Sequence, residues 1–309
     1  MSQYLRKCTL LVANDTEALD LSELRITFQV QQSDVETPNS ALIRVYNLAP
    51  ETLTRVENEF TRVILQAGYE NDSFGIIFEG SIKQTRRGRF IGPDSFLDIL
   101  AADGDEAYNQ ATVNETLAAG TTSDQVLQRL AAAMGLPVGY APDLPPNALQ
   151  RGKAMYGLAR WYLRDFAQTY QLRWSIQRGQ LVLVPMTGYV PGQAVVLNKF
   201  TGLIGVPEVT PGGICVRALL NPQIRVGSLI QLNSNDITGA LLGGNLLYTP
   251  GRLESLPGLL PKVINDDGFY RVLVSEYVGD TRGEPWYSEL TCLAIDKTAP
   301  ADQAAKAEG

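Results

Sequence analysis

Short runs of alternating apolar and polar residues fill the first and last thirds of the chain, and this two-residue period restricts its fold most. Ile26, Phe28 and Val30 are separated by polar residues, and the same period returns at 270–277 and 288–295. Alternation of this kind is typical of strands that bury one face. The sequence therefore predicts two β-rich regions, each a strongly curved antiparallel sheet or small barrel.

Between these regions the period becomes helical. Thr122 and Gln125 have the spacing of a capping box, apolar residues then follow every three or four positions, and Gly135 ends the run. A second stripe from Met155 to Tyr170 follows the same spacing. The pattern predicts two helices packed on a small core.

Two shorter signals complete the expected elements. Pro50 and Glu51 suit the first turn of a short helix in the N-terminal region. Arg178-Gly179 separates two apolar runs and predicts a compact hairpin.

The fold class predicted from these elements is α+β and β-rich, with two tube-like antiparallel β-barrel domains and a small α+β insertion domain. The expected boundaries are 1–111 for the first β domain, 112–200 for the insertion and 201–296 for the second β domain. An Ala-rich tail at 297–309 is expected to be disordered.

The chain contains no histidine, which restricts its chemistry. A Ser-His-Asp triad, a Cys-His pair and a His-bearing metal site are all excluded within it. Cys8, Cys215 and Cys292 are far apart and form no CxxC pair, so zinc ribbons and dithiol redox motifs are excluded too. The sequence predicts no cofactor, no metal site and no catalytic residue.

Charge and hydropathy narrow the function classes further. The formal net charge of −7 argues against general nucleic-acid binding, which needs clustered cations. Charged residues are 19% of the chain, below the usual share, so part of the surface is expected to be covered by partners. Neither a signal peptide nor a membrane anchor is expected, and folding in a reducing cytoplasm is predicted.

Two weaker readings concern catalysis and sugar binding. The carboxylate pairs Glu57/Glu59 and Asp103/Asp105 could serve a cell-wall hydrolase, but both lie on short charged segments expected to be exposed. A carbohydrate-binding module would need exposed aromatic residues. Trp161 and Trp174 are expected to be packed, and Trp286 is the remaining candidate, although an anchor between β elements suits it better.

Two segments are candidates for partner contact. The basic cluster Arg86-Arg87-Gly88-Arg89 is either a contact for an anion or an acidic partner, or a solvated hairpin loop, and the sequence favours the loop. The stretch 233–267 is long, poor in charge and rich in leucine, which favours an element that contacts a partner. Its candidate contact residues are Leu241, Leu242, Leu246 and Leu247.

The order of motifs resembles a known family. The run from Asn39 to Leu48 is followed by the short helix and by the run from Val63 to Tyr69, then by Gly135-Leu136-Pro137. Gly202 to Pro207 and Asp280 to Trp286 complete the order. Taken together, these segments are similar to phage tail hub proteins of the late-control-D and baseplate central hub family.

The resemblance covers about residues 4 to 296 and implies a structural role in the virion, with assembly in the host cytoplasm. It implies a homotrimer in which two tube-like domains per subunit form a pseudo-six-fold ring. Expected partners are the central spike, the tail tube or distal tail proteins, and the tape measure protein. The ring would surround the channel through which DNA leaves without specific binding.

Overall fold

A computed structural model describes residues 5–70, 72–90, 93–210, 213–232 and 268–295 of the chain. The predicted contact element at 233–267 and the tail from 297 onward lie outside the described residues. Expectations about Leu241, Leu242, Leu246 and Leu247 therefore stay predictions.

The N-terminal region forms an antiparallel sheet with one helix. Its elements are β1 (Arg6–Ala13), β2 (Ala18–Asp20), β3 (Ile26–Ser33), β4 (Ser40–Tyr46), α1 (Pro50–Asn58), β5 (Arg62–Tyr69), β6 (Phe74–Arg89) and β7 (Ser95–Ala102). The strand order is β3-β4-β7-β6-β5-β1-β2. Alternate residues on the central strands, such as Ile43 and Ile99, are completely buried, as the two-residue period predicted.

The middle region carries its own hydrophobic core, built by residues from Val113 to Leu183. Its elements are α2 (Asp105–Asn109), β8 (Thr112–Leu117), α3 (Ser123–Ala133), β9 (Val138–Tyr140), β10 (Lys153–Leu158), α4 (Ala159–Thr169), β11 (Leu172–Gln177) and β12 (Gln180–Pro185). Helices α3 and α4 and the β11–β12 hairpin supply most of the buried side chains.

Local sequence signals located three of these elements. Pro50 opens α1, and Thr122 with Gln125 forms the complete capping box of α3. Arg178 and Gly179 have φ of 54° and 70°, and these left-handed values close the β11–β12 hairpin.

The predicted start of the second helix was wrong. Met155 lies on strand β10, opposite Glu115 of β8, and α4 begins only at Ala159. Gly157, with φ of 125°, takes a conformation that no helix residue adopts. Met155 is nevertheless buried in the core. A strand with a two-residue period and a helix with a three-to-four-residue period both place this position on the buried face.

The C-terminal region forms a second sheet unit. Its strands are β13 (Val195–Leu197), β14 (Leu203–Thr210), β15 (Gly213–Leu219), β16 (Leu229–Leu232), β17 (Phe269–Asp280) and β18 (Trp286–Ala294). They pair in the order β14-β15-β18-β17-β16-β13, and every pair is antiparallel except β16 with β13, which is parallel. The core of the unit holds Ile230, Val272 and Cys292, all completely buried.

The two sheets repeat one strand order. In spatial order the first sheet reads β3-β4-β7-β6-β5-β1, and the second reads β14-β15-β18-β17-β16-β13. The last strand differs in direction: β13 runs parallel to β16, whereas hydrogen bonds from Thr61 N–H to the Ala13 carbonyl and from Glu70 N–H to the Leu5 carbonyl place β1 antiparallel to β5. The chain therefore contains two sheet units with the same order of strands.

The β-rich α+β class is confirmed, whereas closed barrels are not seen. Closure requires two neighbours for every strand, and among the described strands β2 and β14 each pair with one.

By packing, the chain separates into two compact units: Cys8–Gln66 with Ile76–Met186, and the remainder from Thr187 onward with Met1–Lys7 and Ala67–Gly75. The three predicted domain boundaries stay a prediction.

A buried carboxylate fixes the tip of the β11–β12 hairpin. Asp103 is almost fully buried and accepts hydrogen bonds from the backbone N–H groups of Arg178 and Gly179, the latter at 3.0 Å. Asn39 Nδ2 donates to the carbonyl of Ile176 at 2.9 Å beside it. The hairpin is thus held by polar contacts far away in sequence.

We expect Asp103→Ala to lower the free energy of unfolding by about 1–3 kcal/mol, because it leaves two partly buried N–H groups without their carboxylate acceptor. Asp105→Ala is the matched control, since its side chain is partly exposed and makes an ion pair with Lys83 that contributes little. Urea unfolding followed by circular dichroism measures both. Equal stabilities for the two variants would contradict the anchoring role.

We expect Phe166→Ala, in the core face of α4, to cost about 3–5 kcal/mol, as other large core truncations do. Gln168→Ala on the exposed face of the same helix is expected to change stability by about 0.5 kcal/mol or less. A melting temperature unchanged by the Phe166 substitution would show that this helix does not stabilise the middle region.

Candidate partner-contact surface

The basic cluster lies on a strand and not in the loop that the sequence favoured. Arg86, Arg87 and Arg89 belong to the second half of β6, where Ser81 to Arg89 pair with β7. The prediction was wrong because residues 84–89 contain no apolar side chain, so the two-residue period that marks the other strands is missing there. Alternation along β6 sends Arg86 and Arg87 to opposite faces of the sheet.

On one face, Arg86 joins a row that crosses three strands. Arg44 on β4 and Arg86 on β6 are both direct cross-strand partners of Asp98 on β7. Arg44 Nε and Nη2 donate to the Asp98 carboxylate at 2.6 and 3.0 Å, and Arg86 Nη2 donates at 2.9 Å. The Arg44 guanidinium also lies 4.1 Å from the centre of the Phe96 ring. This row is held by charge-assisted hydrogen bonds on both sides of one carboxylate.

The electrostatics of the row leave it positive. Burial alone would raise the pKa of Asp98, but the hydrogen bonds from Arg44 and Arg86 outweigh it and hold that pKa below its ordinary value. Asp98 is therefore ionised at neutral pH. Two guanidinium groups and one carboxylate give an excess of one positive charge, carried mainly by the more exposed Arg86.

The other two arginines have different surroundings. Arg87 faces α1, where its Nη1 lies 3.9 Å from Glu57 Oε2. Arg89 is exposed at the end of the strand. The structure thus separates the predicted cluster and adds Arg44 and Asp98, which sequence reasoning missed because each stands alone in its segment.

The second half of β6 also carries an open edge. Strand β5 covers β6 only as far as Ile82, whose N–H donates to the carbonyl of Thr61 at 2.7 Å. The register against β7 then shifts between Ile82 and Gln84. Among the described strands, residues 83–89 pair with β7 on one edge only.

The second sheet has an equivalent row in which a carboxylate takes the place of one arginine. Arg217 on β15 and Glu276 on β17 are the cross-strand partners of Glu289 on β18. Arg217 Nε donates to Glu289 Oε1 at 3.0 Å. Glu276 stands where the first row has Arg86, and Glu208 lines the same 410 Å³ depression as the row.

The outer strand of this sheet is a second open edge. Among the described strands β14 pairs with β15 alone, and its register shifts between Ile204 and Glu208. Val206 in this irregular stretch is 54% exposed. An exposed edge strand offers unpaired backbone groups to another strand.

The carboxylates of both candidate pairs contact other groups of the protein. Asp103 is buried, contrary to the exposed setting expected for it, and burial raises its pKa while the two N–H donors of the hairpin oppose that shift. Glu59 Oε2 forms an ion pair with Arg55 Nε at 3.0 Å, and Glu57 Oε2 lies 3.9 Å from Arg87 Nη1. Within the described ranges no group of three or more Cys, Asp or Glu residues could hold a metal ion.

The tryptophans differ from expectation in one case. Trp174 and Trp286 are buried, which suits a core residue and an anchor between strands. Trp161, expected to be packed, is 52% exposed on α4.

Among the described helices, none combines the length and the apolar character needed to cross a membrane.

Comparison with solved structures identifies the fold. The 43 kDa tail protein of prophage MuSo2 from Shewanella oneidensis superposes with a TM-score of 0.57 at 7% identity, covering 94% of this chain and 97% of that one. A tail protein from Neisseria meningitidis MC58 gives 0.55 at 9% identity, covering 94% and 96%.

A third neighbour is the E. coli c3393 protein, a type VI secretion component described as similar to the T4 phage tail proteins gp27 and gp5. It superposes with a TM-score of 0.50 at 10% identity, covering 88% of this chain and 74% of that one. At such identities the likeness is one of fold. No curated protein gives a significant match by sequence.

A family model, described as baseplate hub gp41, matches residues 7–243 and so spans most of the sequence. The match covers the first sheet, the middle region and the start of the second sheet. It agrees with the family resemblance in the order of motifs and supports a structural role in a phage tail baseplate. The chain belongs to the baseplate hub gp41 family.

Proposed function

We propose that this chain is the central hub of a tail baseplate, where three copies form a ring that joins the tail tube to the spike. The observation that carries the proposal is the repeated strand order, which gives one chain two sheet units with the same order of strands. Three chains then supply six such units, and closed symmetric assembly is the ordinary state of such subunits. The backbone of the ring would repeat approximately six times around its axis, whereas the amino-acid sequence would repeat three times.

The two open edges support a seam between neighbouring copies. Residues 83–89 of β6 carry Lys83 and the three arginines of the cluster, whereas β14 carries Glu208 beside the charged row of its sheet. Pairing one copy's β6 edge with the next copy's β14 would satisfy exposed backbone groups and bring opposite charges together. Arg86, Arg87 and Arg89 are then contacts to a second copy of the chain.

Further partners follow from the hub role. The spike, the tail tube or distal tail proteins and the tape measure protein would bind the ring, and the genome would pass through it. The net charge of −7 suits a passage that does not hold DNA. A hub of this kind is a structural protein of the virion and not an enzyme, assembled in the host cytoplasm.

We expect the purified chain to form trimers, with association weakened at high salt because the seam joins opposite charges. Val206→Lys should reduce association about ten-fold or more, since a lysine on an edge strand opposes pairing. Val35→Lys is the matched control, because Val35 is also exposed, at 46%, and lies on neither edge. Analytical ultracentrifugation across a concentration series measures both variants.

Two results would contradict the seam. One is a wild-type chain that stays monomeric at high concentration and in the presence of the spike protein. The other is equal association of the Val206 and Val35 variants.

The leucine-rich stretch 233–267 is proposed as a contact to a neighbouring hub subunit or to the spike. Replacing Leu241, Leu242, Leu246 and Leu247 with Ser should leave the melting temperature of the subunit almost unchanged and abolish its incorporation into tails. Incorporation is measured by co-purification with tail particles. Tails that form normally with this variant would overturn the contact.

A further inference from the structure

Residues from the N-terminal region cover the end of the second sheet at which β17 turns into β18. Arg6 Nη1 and Nη2 donate to the carbonyls of Gly283 and Glu284 at 2.6 and 3.0 Å. A Cβ on Gly75, next to the β5–β6 turn, would lie 3.6 Å from Cβ and Cγ of Pro222 in the β15–β16 connection. All of these residues belong to the compact unit that contains the second sheet. We call this part of the second sheet the covered end.

The first sheet has a corresponding end, and its positions can be matched through the two charged rows. Arg86 on β6 and Glu276 on β17 occupy equivalent places in these rows. Phe90 and Asp280 each lie four residues further along the chain. The backbone N–H of each donates to a carbonyl at the far side of the turn that follows, at 2.7 and 2.8 Å. Phe90 and Asp280 are therefore equivalent positions.

The equivalent positions differ in exposure. Asp280 at the covered end is 7% exposed, whereas Phe90 is 40% exposed. Pro222 is buried, whereas Ala49, its match when both are counted from the row arginines of β4 and β15, is exposed, as is Pro50 beside it. The first sheet thus presents apolar residues to solvent at the place where the second sheet is covered. We call Ala49, Pro50 and Phe90 the open end.

The two parts of the open end are joined by polar and ring contacts. Asn47 Nδ2 donates to Asp94 Oδ1 at 3.0 Å, and the Ser95 N–H donates to Asn47 Oδ1 at 3.0 Å. The Phe90 ring packs edge-on against Tyr46, with 5.6 Å between the ring centres. The turn after β6 and the segment leading into α1 therefore form one preorganised surface, and such a surface loses little entropy on binding.

The covered end indicates what fits the open end. In the proposed ring the two kinds of sheet alternate, so a contact from a first sheet to a second sheet recurs between that second sheet and the first sheet of the next copy. The connection between β5 and β6, residues 70–73, precedes Gly75 at the covered end. The equivalent connection between β16 and β17 contains the stretch 233–267. Its leucines and its few charges match the apolar residues of the open end.

We propose that the open end of each hub subunit binds the 233–267 stretch of the neighbouring copy, with Phe90 as the central apolar contact. The proposal rests on the proposed trimeric ring and assigns the leucine-rich stretch to a second copy of this chain. Phe90 directly follows residues 83–89, the open edge of β6, so the contact is continuous with the proposed β6–β14 seam and involves the same neighbour.

The test is cross-linking between two differently tagged populations of the full chain. One population carries Phe90→Cys, the other carries Leu246→Cys, and a bis-maleimide is added after they are mixed. We expect a covalent dimer that contains both tags, at least ten-fold more abundant than with Val35→Cys in place of Phe90→Cys. Val35 is the matched control, because it is 46% exposed and lies between β3 and β4, at the opposite end of the first sheet.

Phe90→Ser should also weaken association about ten-fold or more, as truncation of a central interface residue does, whereas Val35→Ser should leave it unchanged. Equal cross-linking from positions 35 and 90 would overturn the contact. So would cross-links that form only when Phe90→Cys and Leu246→Cys are in the same copy. Normal trimers of Phe90→Ser would overturn the contact and leave the proposed hub role standing, whereas a wild-type chain that stays monomeric would contradict both.

Discussion

The pairing register of the antiparallel strands determines where the charged side chains of the candidate contact surface lie. In the first sheet the pairing of β4, β7 and β6 buries Ile43 and Ile99 on one face, and on the other it aligns Arg44, Asp98 and Arg86. A slip by one residue would exchange the two faces and place three charges in the core. The buried face therefore fixes the register, and the register in turn builds the charged row.

Elements whose signals are local could be predicted from the sequence. The capping box of α3, the proline that opens α1 and the left-handed turn at Arg178-Gly179 each depend on a few adjacent residues. Burial of Asp103 could not be predicted in this way, because its bonding partner at the hairpin tip is 75 residues away. The start of α4 was misplaced for a related reason, since only the pairing with β8 shows that Met155 lies on a strand.

The candidate contact surface follows the same division. Arg86, Arg87 and Arg89 were predicted as one group because they are close together in sequence. In the structure they lie on a strand, where the side chains of Arg86 and Arg87 point to opposite faces of the sheet. Arg44 and Asp98 could not be found, because an isolated charge in a strand pattern gives no sign of what lies across the sheet. The opposing row of Arg217, Glu289 and Glu276 was missed for the same reason, its members being distant in sequence.

The two sheet units share a backbone plan but differ in the charges of their equivalent rows. Strand order is maintained by backbone hydrogen bonds and buried apolar faces, so it tolerates sequence change; tail proteins with 7% and 9% identity keep the same fold. The charged rows on the opposite face carry no such constraint, and Arg86 in the first row stands where the second row has Glu276. In the proposed ring the backbone would repeat six times while the charge alternated. Such a ring could match a six-fold partner by shape and a three-fold partner by charge. The proposed hub would need both properties if it joins a six-fold tail tube to a three-fold spike.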